Sequence, residues 1–166
     1  HFAEDFGLPV RVVRFHNVYG PFGTWDGGRE KAPAAICRKV LAAKQSGNLE
    51  IEVWGDGEQT RSFMYIDDCI DGLDRLMASD FSDPLNLGRT ELVSVNQLVD
   101  LVEEIAGVKV RRRYKLDAPQ GVRGRNSDNT LIRKVLGWEP RIDLRTGLAK
   151  TYAWIAEQMA NPAALR

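Results

Sequence analysis

The sequence predicts an α/β fold: the closing strands of a doubly wound sheet joined to a small mixed α/β lobe. Three observations predict it. Short apolar runs of strand length alternate with segments whose apolar residues recur at helical spacing. Helical segments stop at glycines, namely Gly7, Gly107 and Gly137. The strands are few, so they read as the second half of such a sheet rather than the whole of one.

Phe2 to Gly7 reads as the last turn of a helix with a glycine stop, and a helix that begins this late leads us to expect further residues upstream. Leu8-Pro9 then leads into a buried strand, Val10 to Phe15. His16-Asn17-Val18-Tyr19-Gly20-Pro21 is a polar turn just beyond the carboxyl end of that strand, where α/β proteins place their chemistry. A loop loosened by Gly27-Gly28 delivers Arg29-Glu30-Lys31 to a helix with Pro33 in its first turn, covering Ala34 to about Lys44. Lys44 to Glu50 reads as a polar surface loop. Glu50 to Trp54 is a short strand ended by the turn Gly55-Asp56-Gly57, and Phe63 to Ile66 is extended. Asp67 is expected to cap a helix with Ile70, Leu73, Leu76 and Met77 on one face. Leu85 to Gly88 is a buried strand. Ser94 and Gln97 form a capping box for a helix carrying Val95, Leu98, Val102 and Ile105, which Gly107 stops. Val108 to Tyr114 is a basic edge strand whose Arg111-Arg112-Arg113 is a solvated edge, since charge discourages further pairing. Gln120 to Asn126 is a loop rich in glycine and arginine. Asp128 caps a helix with Leu131, Ile132, Val135 and Leu136. A last helix, about Leu144 to Met159, repeats Leu148, Tyr152, Ile155 and Met159 at helical spacing, and Trp138, Tyr152 and Trp154 read as core or interface aromatics.

Composition narrows the function. A hydrophobic content of 43% supports a real core, and Lys+Arg and Asp+Glu both number 23, for a net charge of zero. That balance argues against nucleic-acid and membrane-surface partners, which need a basic excess. No apolar run approaches the roughly 20 residues of a membrane span. His1 to Asp5 is polar and acidic rather than signal-like. Cys37 and Cys69 read as buried reduced thiols, so a cytoplasmic location is expected. There is no CxxC pair and the two histidines lack ligand spacing, so no metal site is expected.

Arg14 to Pro21 and Gly55-Asp56-Gly57-Glu58-Gln59-Thr60-Arg61-Ser62-Phe63-Met64-Tyr65-Ile66-Asp67-Asp68 resemble the extended short-chain dehydrogenase/reductase family, a Rossmann-like fold. They look like the second half of its nucleotide-sugar epimerases and dehydratases. Gly23 to Ala35 and Gly121 to Asn129 are similar to the GDP-mannose 3,5-epimerase branch. The resemblance runs from about Phe6 to Gln158. The family's glycine-rich dinucleotide loop and Tyr-x-x-x-Lys pair do not occur here: Gly55-x-Gly57 lacks a third glycine, and no tyrosine is followed four residues later by lysine. Residues 1–166 are therefore expected to be one substrate-binding portion, with the dinucleotide-binding portion and the family's catalytic cysteine outside the chain.

The resemblance implies a mechanism. Bound NAD+ oxidises the hexose at C4, acid/base groups then epimerise C3 and C5, and NADH reduces the ketone back. Such chemistry needs a group that takes and returns a proton near neutral pH. A lysine serves when burial or a neighbouring cation makes its ammonium easier to deprotonate. Lys31, two residues from Arg29, is by resemblance that lysine. Asn17 is implied to contact substrate through its amide, and Glu30 and Ala32 to touch the sugar or diphosphate. The diphosphate calls for fixed cations, for which Arg61, after Gln59 and Thr60, and Arg125 are the candidates, with Lys39 a third. Arg123 can exchange roles with Arg125. Asn126-Ser127-Asp128 most simply caps a helix. No cofactor-binding residue is assigned. A nucleotide-sugar, with GDP-mannose first, is the expected ligand, a homodimer the expected assembly, and the chain alone is expected to be inactive. Two rivals remain: a related dehydratase, decarboxylase or 4-epimerase, and a non-catalytic binding or assembly module.

Overall fold

The computed structural model describes residues 1–118 and 121–161. In chain order the elements are α1 (Phe2–Phe6), β1 (Val13–Phe15), β2 (Val18–Tyr19), α2 (Ala32–Ser46), β3 (Glu50–Trp54), β4 (Thr60–Arg61), β5 (Met64–Tyr65) and α3 (Ile66–Met77). They continue with β6 (Leu85–Leu87), β7 (Val93–Ser94), α4 (Val95–Ala106), β8 (Arg111–Lys115), β9 (Gly124–Arg125), α5 (Thr130–Leu136) and α6 (Leu144–Ala160). The α/β class and the alternation of elements are as the sequence implies.

Pairing is mostly parallel. β1 runs beside β6, with Val13 opposite Leu85 and Phe15 opposite Leu87, and β2 runs beside β5. β3 pairs with β8 over five residues. β4 sits between β7, antiparallel, and β9, parallel, which makes the lobe mixed. The main core lies where α2, α4 and α6 pack together, and it buries Cys37, Val40, Leu98, Val102, Leu148 and Ile155. A smaller core joins α3, β6 and α5 through Cys69, Leu76, Leu85, Leu87, Ile132 and Trp138. Burial pushes the Cys37 thiol up to about 12 and raises Cys69 as well, so both are inert at neutral pH.

Several elements differ from their sequence reading. The first strand is only Val13–Phe15, and Val10, Val12 and Phe15 are exposed, because β6 is its one partner and nothing described covers its other side. The helix α2 extends through Ser46, so the polar loop shrinks to the residues around Gly47; Lys44 is spent on the helix, its Nζ donating to Ala106 O. Asp67 lies in the first turn of α3 rather than at its cap, which is Tyr65. That helix is also rotated: Asp68, Cys69, Gly72 and Leu76 face inward, and Ile70 and Met77 face out. The Asp68 carboxylate explains the rotation, since it accepts from the amides of Arg141 (3.1 Å) and Ile142 (2.9 Å). Arg112 is not a solvated edge. Its guanidinium is largely buried against Asp100 and Glu103, while Arg111 and Arg113 pair with Glu50 and Glu52 across the strands.

Caps and close approaches fix the frame of the site. Ser94 accepts from Gln97 N and Gln97 Oε1 from Ser94 N, the expected capping box. Gly147 lets α6 lie directly on β2 and β5, for a Cβ there would strike the Tyr19 hydroxyl and the Tyr65 ring. The Tyr19 hydroxyl in turn donates to Leu144 O at 3.3 Å. This pins the strand that follows Asn17.

Candidate substrate-binding site

Past β1 the chain turns at Asn17, which has a left-handed φ of 42°, a conformation asparagine tolerates better than most residues. Two bonds hold the turn: Asn17 Nδ2 donates to Ser62 O (2.9 Å), and Met64 N donates to Asn17 O (3.2 Å). Gly27 and Gly28, at φ 90° and 82°, bring the next loop back so that Lys31 stands at the N-cap of α2, where its carbonyl accepts from Ala35 N. A third segment closes the site. Thr60 N donates to Arg123 O (2.9 Å) and Ser62 N to Arg125 O (3.2 Å), which sets β9 against β4.

Asn17, Lys31 and Arg125 thereby meet around one cavity of about 410 Å3, with Phe15, His16 and Val18. Its lining holds two cations and no carboxylate, which suits an anion. Burial lowers the pKa of His16, and the positive charge of Arg125 lowers it further. A polyanion beside Arg125 cancels part of that second effect and favours protonated His16. Pyrophosphate binding is therefore expected to move the His16 titration upward, and to tighten as pH falls through it. An NMR titration of the imidazole with and without pyrophosphate checks this; an unmoved His16 means the anion does not sit beside Arg125.

On the other side of the first turn of α2 lies a second cavity of about 450 Å3, lined by Glu30, Ala32, Lys39, Trp54 and Gln59 among others. Glu30 Oε1 accepts from Arg38 at 2.7 Å, and Arg38 also donates to Trp25 O. Burial pushes the Glu30 carboxyl up, but its own amide, Arg38 and the Gly28 amide together hold it below the ordinary glutamate value. Lys39 Nζ donates to Glu52 O at 2.7 Å, and its pKa is lowered, mainly by burial. Gln59 Nε2 donates to Trp54 O at 2.9 Å.

Residues 1–88 match the profile of the NAD dependent epimerase/dehydratase family. The chain belongs to that family. It is 52% identical over 159 residues to GDP-mannose 3,5-epimerase 1 of Oryza sativa subsp. indica, covering 96% of this chain and 41% of that protein. It is 34% identical over 147 residues to UDP-glucuronic acid decarboxylase 5 of Arabidopsis thaliana, covering 89% and 41%. Among solved structures, UDP-glucose 4-epimerase from Thermotoga maritima with UDP-glucose superposes with a TM-score of 0.84 at 31% identity, over 95% of this chain and 49% of that one. The chain thus spans about two fifths of the length of the curated relatives it matches.

For a member of this family the site residues divide in an informative way. Asn17, Lys31 and Arg125 share the first cavity. Glu30, Ala32, Lys39 and Gln59 share the second. Thr60 and Arg61 line neither: both sit in β4, and Arg61 donates to Thr60 O at 2.6 Å. Arg123 and Arg125 separate clearly, because Arg123 pairs with Asp56 at 3.3 Å whereas Arg125 makes no ion pair among the described residues. Lys31 shares this lining with Arg125 and not with Arg29, two residues away in sequence, and Lys31 itself is exposed. Asp128 accepts from Thr130 N at the start of α5, and Ser127 and Asn129 tie that start to Gly88 O, so this segment is structural. Gln120 lies outside the described residues. His16 and Trp54 were missed; each directly flanks a segment the sequence does mark, Asn17 and the Gly55-Asp56-Gly57 turn.

The residues present do not fit a dinucleotide cradle. Gly57 makes room for protein, since a Cβ there would strike the Asn96 side chain, leaving no open pocket for a phosphate. Among the described residues no group of three or more His, Cys, Asp or Glu can hold a metal ion. No helix among them is long and apolar enough to cross a membrane.

Proposed function

We propose that this chain is the substrate-binding portion of a nucleotide-sugar epimerase that inverts GDP-mannose at C3 and C5. The observation that carries this reading is the meeting of Asn17, Lys31 and Arg125, from three distant segments, around one cation-lined cavity. The 52% identity to a GDP-mannose 3,5-epimerase, against 34% to a UDP-glucuronic acid decarboxylase, supports the choice of substrate.

In the intact protein NAD+, held by residues outside this chain, would accept a hydride from C4 and later return it. The residues here bind the ligand and supply one of the two acid/base groups. Lys31 exchanges a proton with a sugar carbon beside the ketone on one face, and the family's catalytic cysteine, outside this chain, would serve the opposite face. Asn17, with one amide hydrogen spent on Ser62 O, offers its carbonyl oxygen and remaining hydrogen to a sugar hydroxyl. Arg125 holds the diphosphate. Glu30, Ala32, Lys39 and Gln59 line the cavity that takes the rest of the ligand, and Thr60 and Arg61 back the strand that carries Arg125. This chain alone binds ligand without turnover. Two buried thiols suit a reducing compartment such as the cytoplasm, and we place the intact protein there as a homodimer.

The test is isotope wash-in. The intact protein, incubated with GDP-mannose and NAD in heavy water, is expected to place deuterium at C3 and C5 and to yield the epimerised sugar. Release of carbon dioxide from UDP-glucuronic acid, with no exchange into GDP-mannose, would instead favour a decarboxylase.

A further inference from the structure

The loop that delivers Lys31 has little packing of its own. Gly27 and Gly28 take left-handed φ values of 90° and 82°, and a Cβ at either would meet nothing within 4 Å, so no neighbour fixes the backbone there. Asp26 and Arg29, on either side, are exposed. Two such glycines form a hinge directly before Glu30 and Lys31. The Ala35 amide holds the Lys31 carbonyl, on one side of its Cα; the other side hangs from Glu30 and the hinge. An acid/base group displaced by about 1 Å from its reacting atom can lose roughly 10²-fold in rate.

One guanidinium spans the hinge. Arg38 Nε donates to Trp25 O at 3.1 Å, before the glycines, and its Nη2 donates to Glu30 Oε1 at 2.7 Å, after them. Asp26 Oδ1 lies 3.4 Å from the same Nε. Among the described residues, every side-chain hydrogen bond that ties residues 25–30 to the rest of the protein comes from Arg38. The N–H directions of a guanidinium are fixed by its plane, so two anchors on one fork set both ends of the loop in a single orientation.

What the fork is attached to is rigid. Arg38 stands on α2 about two turns beyond Lys31, and its neighbours Ile36, Cys37 and Val40 are buried in the main core. Trp25 packs against that same core, so its carbonyl is a fixed point as well. The Glu30 side chain is only 6% exposed, which makes its carboxylate a buried charge that needs a cation. Without Arg38, its way back to water is to swing outward on Gly27-Gly28, and Lys31, the next residue, swings with it.

We propose that Arg38 is a positioning residue for Lys31: it clamps the glycine hinge at both ends and so holds the lysine side chain at the cavity it shares with Asn17 and Arg125. This rests on the nucleotide-sugar reading above and adds to it a residue that acts through Lys31 rather than on the sugar.

Two measurements test it. In the 166-residue chain, amide relaxation by NMR is expected to give order parameters of about 0.85 from Gly27 to Lys31, falling below about 0.6 in Arg38→Met with the rest of the chain unchanged. Arg38→Lys keeps the charge and the stem but not the fork; it is expected to fold as the parent does and to show the same loosening at Gly27 and Gly28. In the intact enzyme, Arg38→Met is expected to slow deuterium wash-in from heavy water into GDP-mannose roughly 10–100-fold. Made in a Lys31→Met background, the same change is expected to cost less than about twofold, because no lysine is left to misplace. An arginine that merely supports the fold would cost as much in both backgrounds. A loop that stays ordered in folded Arg38→Met and Arg38→Lys, or equal losses with and without Lys31, overturns the inference and leaves the nucleotide-sugar reading standing. No wash-in by the parent enzyme overturns both.

Discussion

Replacing Lys31 by methionine in the intact enzyme is expected to slow proton exchange at the sugar carbons by roughly 10²–10⁴-fold, the usual reach of a positioned acid/base group. The structural role of the position survives the change. Lys31 caps α2 through its backbone, whose carbonyl takes the Ala35 amide, and its side chain makes no capping bond. An ammonium at a helix N-terminus also meets the positive end of the dipole, so its loss costs the fold nothing. Lys31→Met is therefore expected to melt at or slightly above the parent temperature. Arg125, which holds the diphosphate in our reading, is untouched, so affinity for the nucleotide sugar is expected to change by less than the exchange rate does. Unimpaired deuterium wash-in at both C3 and C5 would remove Lys31 from the chemistry and leave it as a binding residue.

Glu103→Ala is expected to lower the unfolding free energy by about 3–5 kcal/mol, as breaking a buried charged network does. Glu103 is 2% exposed. Its Oε1 accepts from the amide of Val110 at 2.8 Å, and its Oε2 accepts from Lys109 and Arg112. Lys109 is well exposed, so its bond to Glu103 contributes little. The cost comes from the buried Val110 amide, left without an acceptor, and from Arg112, left with Asp100 as its one carboxylate partner beside its bond to Asn96 O. Urea unfolding reads the change, and a loss below about 1 kcal/mol would show that water enters and replaces the carboxylate. The damage also propagates. The carboxylate ties α4 to the start of β8, β8 pairs with β3, and β3 supplies Val53 and Trp54 to the second cavity. The variant is thus expected to bind GDP more weakly even where it stays folded.

Local signals were legible in the sequence where the cause is local. The capping box at Ser94 and Gln97, the glycine stops at Gly7, Gly107 and Gly137, and Pro33 in the first turn of α2 all stand as read. What misled was decided at a distance. The inward face of α3 follows from an Asp68 carboxylate that finds its amides at Arg141 and Ile142, more than seventy residues away. The first strand reads as buried by its valines, but burial depends on a second neighbour that the described residues do not supply. The same holds for the site. Motif resemblance gathers Asn17, Glu30, Lys31, Lys39, Gln59 and Arg125, but it cannot say that they fall into two cavities, nor that Asp56 claims Arg123 and leaves Arg125 free to act. Trp54 carries no motif of its own; it ends β3, and its carbonyl accepts from Gln59 Nε2 at the cavity edge.

Glu30 and Lys31 are consecutive residues, yet they line different cavities. Their Cα atoms are held about 3.8 Å apart by a single rigid peptide unit, which no side-chain rearrangement can stretch. In our reading that unit works as a gauge: it sets how far the far end of a ligand stands from its reacting carbon. A sugar joined to its nucleoside through one phosphate instead of two would reach only one end of the gauge, so molecular length becomes a criterion of selection.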